Sequence, residues 1–388
     1  MVVVFEFLGM EPMENVITCM HYKVDKVIYF GYHDVIQSLR ENTDKFLTKY
    51  CGVKNTVYHP MSKDDLPSVL KSMRKEIEYE LGQKNKIYFD ITGGESLILV
   101  AFGILSGEYK TPMHHFDVRK DKLLELEEGA GNVISKDVPE QDIKLTLDKL
   151  IELRGGIINY KLHKGMKEIE EGHVAEVEGL WSVAKKYRDY WNPFSTFLRS
   201  CFCSEEGLII STSAKRMLSA LAASKTKLNK AAKLNEILDG LEDAGVLLDV
   251  VHSKEKYQFR FKNQFIKECV WDGGSILELY IYLSEKKKSD DCRVGVHLDW
   301  DGQIQYPGGA DVLNEIDVLA LCGNVPAFIS CKSGKMDGAK ALPALYELET
   351  VADRFGGRYA RKVLVTTHPL GDAYKARAEE MGIELRCE

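Results

Sequence analysis

A chain of 388 residues is longer than one hydrophobic core usually organises, so two or three domains are expected. Its formal charge of −7 excludes broad electrostatic binding to nucleic acid and leaves only a local basic surface for that purpose. Nine cysteines with no CxxC and one close pair, Cys201 and Cys203, exclude a zinc spacing and a disulfide framework and read as reduced thiols. The Val2–Phe5 run lacks a basic n-region and no apolar span of about 18 residues follows, so the expectation is a cytoplasmic protein without a membrane segment.

Residues 1–128 alternate β-rich runs with helix-length amphipathic segments. Strands are expected at Val2–Leu8, Lys26–Gly31, Asn55–His59, Lys86–Ile91 and Met113–Val118, and helices near Met13–His21, Asp34–Tyr50, Leu66–Gly82 and Ser96–Ser106. Strand and helix in alternation imply a parallel, doubly wound, Rossmann-like sheet whose ligands sit at the carboxyl ends of the strands. Two loops fall there. Gly9-Met10-Glu11-Pro12 follows the first strand without the G-x-G-x-x-G spacing of a dinucleotide site. Asp90-Ile91-Thr92-Gly93-Gly94-Glu95-Ser96 follows the fourth and opens a helix, so paired glycines permit close backbone approach while Thr92, Ser96 and the helix N-terminus offer donors to a phosphate. The competing reading is a plain glycine turn with Ser96 as N-cap.

From 129 to 270 the pattern turns helical after the break at Ala130, Gly131 and Asn132, with helices expected near Gln141–Leu153 and Val174–Tyr190. Between Gly207 and Asn235 there is no acid, yet Lys215, Arg216, Lys225, Lys227, Lys230 and Lys233 lie within it, a patch able to meet a nucleic-acid backbone. A helix over Leu228–Ala244, then Gly245–Val251 and a strand Tyr257–Lys262, suggest a winged-helix-like element. A packed connector with a solvated lysine face is the alternative.

Residues 271–388 form the third unit. The helix Gly274–Ser284 is almost wholly apolar with Glu278 embedded in it, and a buried acid needs a cation or a hydrogen-bond partner. Arg293–Trp300 is a strand whose Asp299 and Asp301 read as turn residues. Asn314–Lys332 reads as two strands joined around Gly323 and Asn324. Period-two alternation sends Glu315, Asp317 and Leu319 to one face and Ile316, Val318 and Ala320 to the other; in the second strand Phe328, Ser330 and Lys332 share a face. The hairpin thus brings carboxylates beside a lysine. Carboxylates are ligands of Mg²⁺ and Mn²⁺, and a neighbouring lysine can orient a water or neutralise charge developing on a phosphate, which is phosphodiester hydrolysis chemistry. A surface hairpin with solvated charges is the alternative, but Ala327, Phe328 and Ile329 form a run typical of a sheet core. A helix Ala339–Phe355, a strand Lys362–Thr366 and a helix Asp372–Met381 complete the chain.

At Asp317 and Lys332 the sequence resembles the PD-(D/E)XK nucleases, with Ser330 in the place of the middle acid. More specifically, NEIDVL and FISCKSG resemble the nuclease domain of CRISPR-associated proteins that join such a domain to a CARF sensor, and D-x-T-G-G at Asp90–Gly94 resembles the CARF signature. The resemblance implies an α/β chain with a Rossmann-like CARF domain at 1–128, a helical, winged-helix-like middle region at 129–270 and a PD-(D/E)XK nuclease-like α/β domain at 271–388. It implies a homodimer that binds a cyclic oligoadenylate, most simply cyclic tetra-adenylate, through Thr92, Gly93, Gly94 and Ser96 with Gly9 and Met10 lining the same pocket. It implies hydrolysis of DNA and/or RNA with Mn²⁺ or Mg²⁺ held by Glu278, Asp317 and the Cys331 carbonyl. Glu315 is then a further acid, Lys332 the residue that orients water or stabilises charge, and Ser330 an indirect contributor. A cyclic-oligoadenylate-gated, nucleic-acid-binding regulator with a degenerate nuclease fold is the alternative; the missing middle acid favours it and the retained Asp317 and Lys332 oppose it.

Overall fold

The computed structural model describes residues 1–126, 133–137, 143–161, 173–202, 206–224, 226–228, 230–302 and 313–388. The expected break at 130–132, the start of the helix at 141 and Lys225 lie outside them. Strands β1 (Val2–Leu8), β2 (Lys26–Gly31), β3 (Asn55–Pro60), β4 (Lys86–Asp90) and β5 (Met113–Asp117) form a parallel sheet in the order β3-β2-β1-β4-β5. Two strands with no counterpart in the sequence reading, β6 (Lys122–Leu126) and β7 (Val133–Asp137), extend its β5 edge antiparallel. Helices α1 (Ile17–His21), α2 (His33–Phe46), α3 (Leu66–Gly82) and α4 (Ser96–Tyr109) make the connections. β1 and β2 are buried on both faces, as continuous apolar runs in a covered parallel sheet must be. Helix α3 starts where Asp65 accepts the Ser68 N–H at 3.0 Å, and α4 stops where Lys110 turns left-handed at φ 56°.

The middle of the chain contains α5 (Leu147–Leu153), a two-residue strand β8 (Ile157–Ile158), α6 (Val174–Lys186), α7 (Arg188–Phe202), β9 (Ile209–Ser213), α8 (Ala214–Ala223), α9 (Ala231–Asp243), β10 (Leu247–His252), β11 (Lys256–Phe261) and α10 (Gln264–Trp271). The sheet β10-β11-β9 with α7, α8 and α9 has the helix–strand–helix–helix–hairpin order of a winged helix. The single helix expected over Val174–Tyr190 is broken. Tyr187 leaves helical geometry (φ −108°, ψ 29°) and its ring lies against Gly240 of α9, so packing rather than periodicity sets the boundary.

The last unit comprises α11 (Ser275–Lys286), β12 (Asp291–Asp299), β13 (Leu313–Cys322), β14 (Val325–Lys332), α12 (Gly338–Phe355), β15 (Arg361–Thr366), α13 (Asp372–Glu380) and β16 (Ile383–Cys387). Its sheet runs β16-β15-β14-β13-β12-β8, parallel from β16 to β14 and antiparallel beyond. Both faces are covered. Leu319, Leu321, Phe328 and Leu364 share a core with α12 and the N-terminal sheet, whereas Val318, Ala320, Ile329 and Val365 share one with α6, α11 and the winged helix. Each large side chain so buried contributes about 1.5–3 kcal/mol, which fixes the hairpin between two cores and gives its charged end a rigid base.

Candidate active site and ligand loop

The ladder between β13 and β14 runs from Cys322↔Val325 to Val318↔Ile329 and stops. Beyond it β13 stays on β12, down to Leu313↔Asp299. The strands separate at Asp317, and its carboxylate Oδ2 fills the gap by accepting the Cys331 N–H at 2.6 Å and the Ser330 hydroxyl at 3.1 Å. Lys332 Nζ lies 3.6 Å from the same oxygen. The N–H and C=O of one strand residue leave on the same edge, so the Cys331 carbonyl also faces this gap instead of a ladder partner.

One part of the expected alternation is corrected here. Ile316 joins Leu319 and Leu321 in one core while Val318 and Ala320 join the other. The cause lies across the ladder, where Gly295 adopts φ +62°, open to glycine at no steric cost. Val294 before it faces one core, and Val296 and Leu298 after it face the other. The face switch in β12 carries β13 with it at Asp317.

Glu278, half-buried on α11, has its carboxyl pushed up to about 8, first by burial and then by the charge of Asp317, with Asp272 and Glu315 adding to the effect and Lys332 opposing it. A Cβ on Gly274 would stand 3.9 Å from Glu278 Oε1 and 3.8 Å from Ser333 Oγ, at ordinary contact distance, so Gly274 lies beside both groups. Glu315 is exposed and lies 3.7 Å from His297, its cross-strand partner. Glu278, Asp317, Ser330 and Lys332 are thus brought together, and Glu315 stands at the rim. Two crowded carboxylates and a carbonyl are the hard oxygen donors that Mg²⁺ or Mn²⁺ takes, and the raised Glu278 carboxyl marks negative charge that a cation would relieve. Among the described residues no three His, Cys, Asp or Glu side chains are placed to hold a metal, so water would complete such a shell.

Helix α7 contributes residues that spacing did not single out. Asn192 Nδ2 donates to the Ser333 carbonyl at 3.2 Å and hydroxyl at 3.1 Å, tying down the segment directly after Lys332. Gly334 N–H donates to Thr367 Oγ1 at 2.8 Å, and Asp189 faces His368 at 3.3 Å and Lys335 at 3.8 Å. The contacts made by Asn192 and Asp189 join residues more than a hundred positions apart, and no local motif announces them.

The described part of the basic stretch is only partly open to a nucleic-acid backbone. Lys215, Arg216, Lys227 and Lys230 are exposed, but Lys233 is paired with Glu236, and the exposed face of α9 presents Glu236, Asp239, Glu242 and Asp243. A helix with that face is repelled by a phosphate backbone.

In the N-terminal sheet β1 and β4 are neighbours with Glu6 opposite Asp90, so the Gly9-Met10 and Thr92–Ser96 loops emerge side by side. Asp90 is buried. Burial alone would raise its carboxyl, but His114, Thr18 and the Thr92 N–H, at 2.7 Å, hold it below the usual carboxylate range. Thr92 is turned inward, its hydroxyl accepting the Phe116 N–H at 2.9 Å. Gly9 is buried, its N–H and C=O both held by Asn15 at 2.9 and 2.8 Å, while Met10, Gly94 and Ser96 are exposed. The N-cap of α4 is Glu95 rather than Ser96, with no side-chain cap, so the first-turn N–H groups face the loop mouth.

Among the described residues no helix is long and apolar enough to cross a membrane, and every described cysteine is a free thiol. No curated protein matches the sequence. The fold is similar to that of protein VC1899 from Vibrio cholerae, at 18% identity and a TM-score of 0.71 over 100% of this chain and 94% of that one. It is similar also to that of Can2 from Sulfobacillus thermosulfidooxidans in complex with cyclic tetra-adenylate, at 15% identity and a TM-score of 0.66 over 99% and 92%. With Glu278 and the Asp317–Lys332 pair of the splayed hairpin inside it, the segment 268–387 matches the family described as the Card1-like endonuclease domain.

Proposed function

We propose that the chain is a divalent-metal-dependent nuclease of type III CRISPR defence, hydrolysing phosphodiester bonds in DNA and/or RNA and switched on by a cyclic oligoadenylate, taken here as cyclic tetra-adenylate. The observation that carries the reading is Asp317 paired with Lys332 at the mouth of a splayed hairpin, facing Glu278, within the stretch similar to Card1-like endonuclease domains. The bound cyclic tetra-adenylate of Can2, whose fold is similar from end to end, supports the choice of activator.

Glu278, Asp317 and the Cys331 carbonyl would hold Mn²⁺ or Mg²⁺, and the bound ion would supply charge neutralisation at the scissile phosphate and a more acidic water. Lys332 aligns that water or meets charge developing on phosphate oxygen, and Ser330 acts through Asp317. Thr92, Gly93, Gly94, Ser96, Gly9 and Met10 form the ligand loop, with contacts from exposed backbone and the α4 N-terminus rather than from the inward-turned Thr92 hydroxyl. The chain acts as a cytoplasmic homodimer with a sensor at 1–128, whose sheet also takes in β7 at 133–137, a connector at 129–270 and a nuclease at 271–388, whose sheet takes in β8 at 157–158. Cleavage assays with and without cyclic tetra-adenylate and Mn²⁺ test this. Wild type should cleave only with both, and Asp317→Ala and Lys332→Ala should not. Equal cleavage by all three proteins overturns it.

A further inference from the structure

The sensor loop and the nuclease unit meet at one carboxylate. A Cβ on Gly93 would stand 2.8 Å from Glu14 Oε2 and 3.3 Å from Glu14 Cβ, so the Glu14 side chain lies directly against the ligand loop. Its other oxygen, Oε1, accepts from the Tyr359 hydroxyl at 2.5 Å and from Arg358 Nη2. Glu14 is 4% exposed in its side chain, whereas that of Arg358 is 60% exposed. The guanidinium is therefore anchored through Nη2, which also donates to the Tyr359 hydroxyl at 2.9 Å, on a side chain that is mostly exposed.

The Arg358 backbone is held equally firmly to the sensor. Its N–H donates to Glu11 Oε2 at 3.1 Å, and its carbonyl accepts from Arg119 Nη2 at 2.6 Å. Arg119 and Arg358 both lie over the Tyr359 ring, at 5.8 and 5.0 Å. Gly357 beside them adopts φ +60°, and a Cβ there would run into Arg154 and Glu11, which are themselves paired. The 357–359 turn leads directly into β15, which pairs with Ser330, Cys331 and Lys332 of β14.

Gly93 itself is buried, so a phosphate held at the exposed Gly94 next to it arrives near the Glu14 carboxylate and is repelled unless a cation stands between them. Arg358 is placed to be that cation, and its planar fork of five donors can serve two anions at once. We infer that Arg358, contributed by the nuclease unit, bridges Glu14 and a phosphate of the activator, so that the sensor pocket is completed by a residue of the domain it controls. This rests on the activator reading given above. Binding then favours the arrangement in which the turn ahead of β15 is drawn to the loop, which supplies the differential affinity that a switch requires.

The test is calorimetric titration of the full-length chain with cyclic tetra-adenylate, for wild type, Arg358→Ala, Glu14→Gln and the double variant, with melting curves as fold controls. Arg358→Ala should weaken binding at least tenfold, and Glu14→Gln should leave it equal or tighter. The double variant should remain at least tenfold weaker than Glu14→Gln. Arg358→Lys, which keeps the charge and the fold but not the fork, should bind more weakly than wild type. Unchanged affinity in Arg358→Ala overturns the inference. So does a loss that disappears in the Glu14→Gln background, because the arginine is then only a counter-ion. If wild type itself does not bind, the activator reading falls and this inference with it.

Discussion

The Asp317 carboxylate takes the Cys331 N–H at 2.6 Å where β13 leaves β14, standing in for a ladder carbonyl. One side chain therefore closes the sheet and supplies the negative charge of the site, and substitutions can separate the two roles. Asp317→Asn keeps an acceptor for the N–H and should melt close to wild type while losing cleavage on the order of 100-fold or more. Asp317→Ala leaves a buried donor unmatched, at a cost of about 1–3 kcal/mol, and should melt lower. Identical melting of the two variants would dismiss the structural role.

Asn192 should matter to rate more than to stability. Asn192→Ala frees the Ser333 segment next to Lys332, and a displacement of about 1 Å in such a segment can cost on the order of 100-fold. A loss of about tenfold in activated cleavage, with melting unchanged to within about 2 °C, is expected. Full activity in the variant would show that Lys332 is held without it.

Glu6 gives a pH dependence of known sign. It is buried beside Asp90 with neither carboxyl oxygen hydrogen-bonded, and burial first, then the Asp90 charge, raise its pKa well above the ordinary value. A raised folded pKa means stability that is complete below the ordinary carboxylate range and is lost as pH climbs from that range toward the folded value. Glu6→Gln removes the titration, so its melting point should gain on wild type as the pH rises above the ordinary carboxylate range. A constant difference as the pH rises would show that Glu6 has a partner for its charge.

Gly93→Asp is not a clean probe of the ligand loop, because its Cβ already meets Glu14 and its charge adds to that of Glu14. Gly93→Ala should lower the melting point, Gly93→Asp should lower it further, and Glu14→Gln should return part of the Asp loss. If Gly93→Asp melts with wild type, the loop is looser than its contacts indicate.

A symmetric cyclic ligand is best matched by a symmetric site, so the N-terminal sheets of a homodimer should pair isologously over one activator. Titration should saturate at one cyclic tetra-adenylate per two chains. Saturation at one per chain would rule out the shared pocket.

Much of this was legible where one residue type or one period decides local structure. The runs Val2–Leu8 and Lys26–Gly31 are strands to the residue because both faces are buried, and Leu66–Gly82 is bounded by its Asp65 cap. Glu278 could be singled out because charge at an otherwise apolar position needs a partner, and Asp317 and Lys332 because period-two alternation across a hairpin sets carboxylate beside lysine. What escaped depends on packing between distant segments. The break at Tyr187 follows from a ring against Gly240, the face switch at Gly295 from a single left-handed residue, and the inward Thr92 hydroxyl from a strand neighbour. The Glu14–Arg358 contact spans 344 positions of sequence, and no window reaches it.

Helix α12 has 18 residues, a rod of about 27 Å with one end on the segment after Lys332 and the other on the Gly357–Tyr359 turn. Pivoting such a lever by about 5° displaces its tip by about 2 Å, the scale of the helix shifts that switch enzymes. On the proposed function, an activator needs only to rock one arm at the sensor end for Lys332 at the other end to gain or lose its alignment, without any rearrangement of the sheet between them.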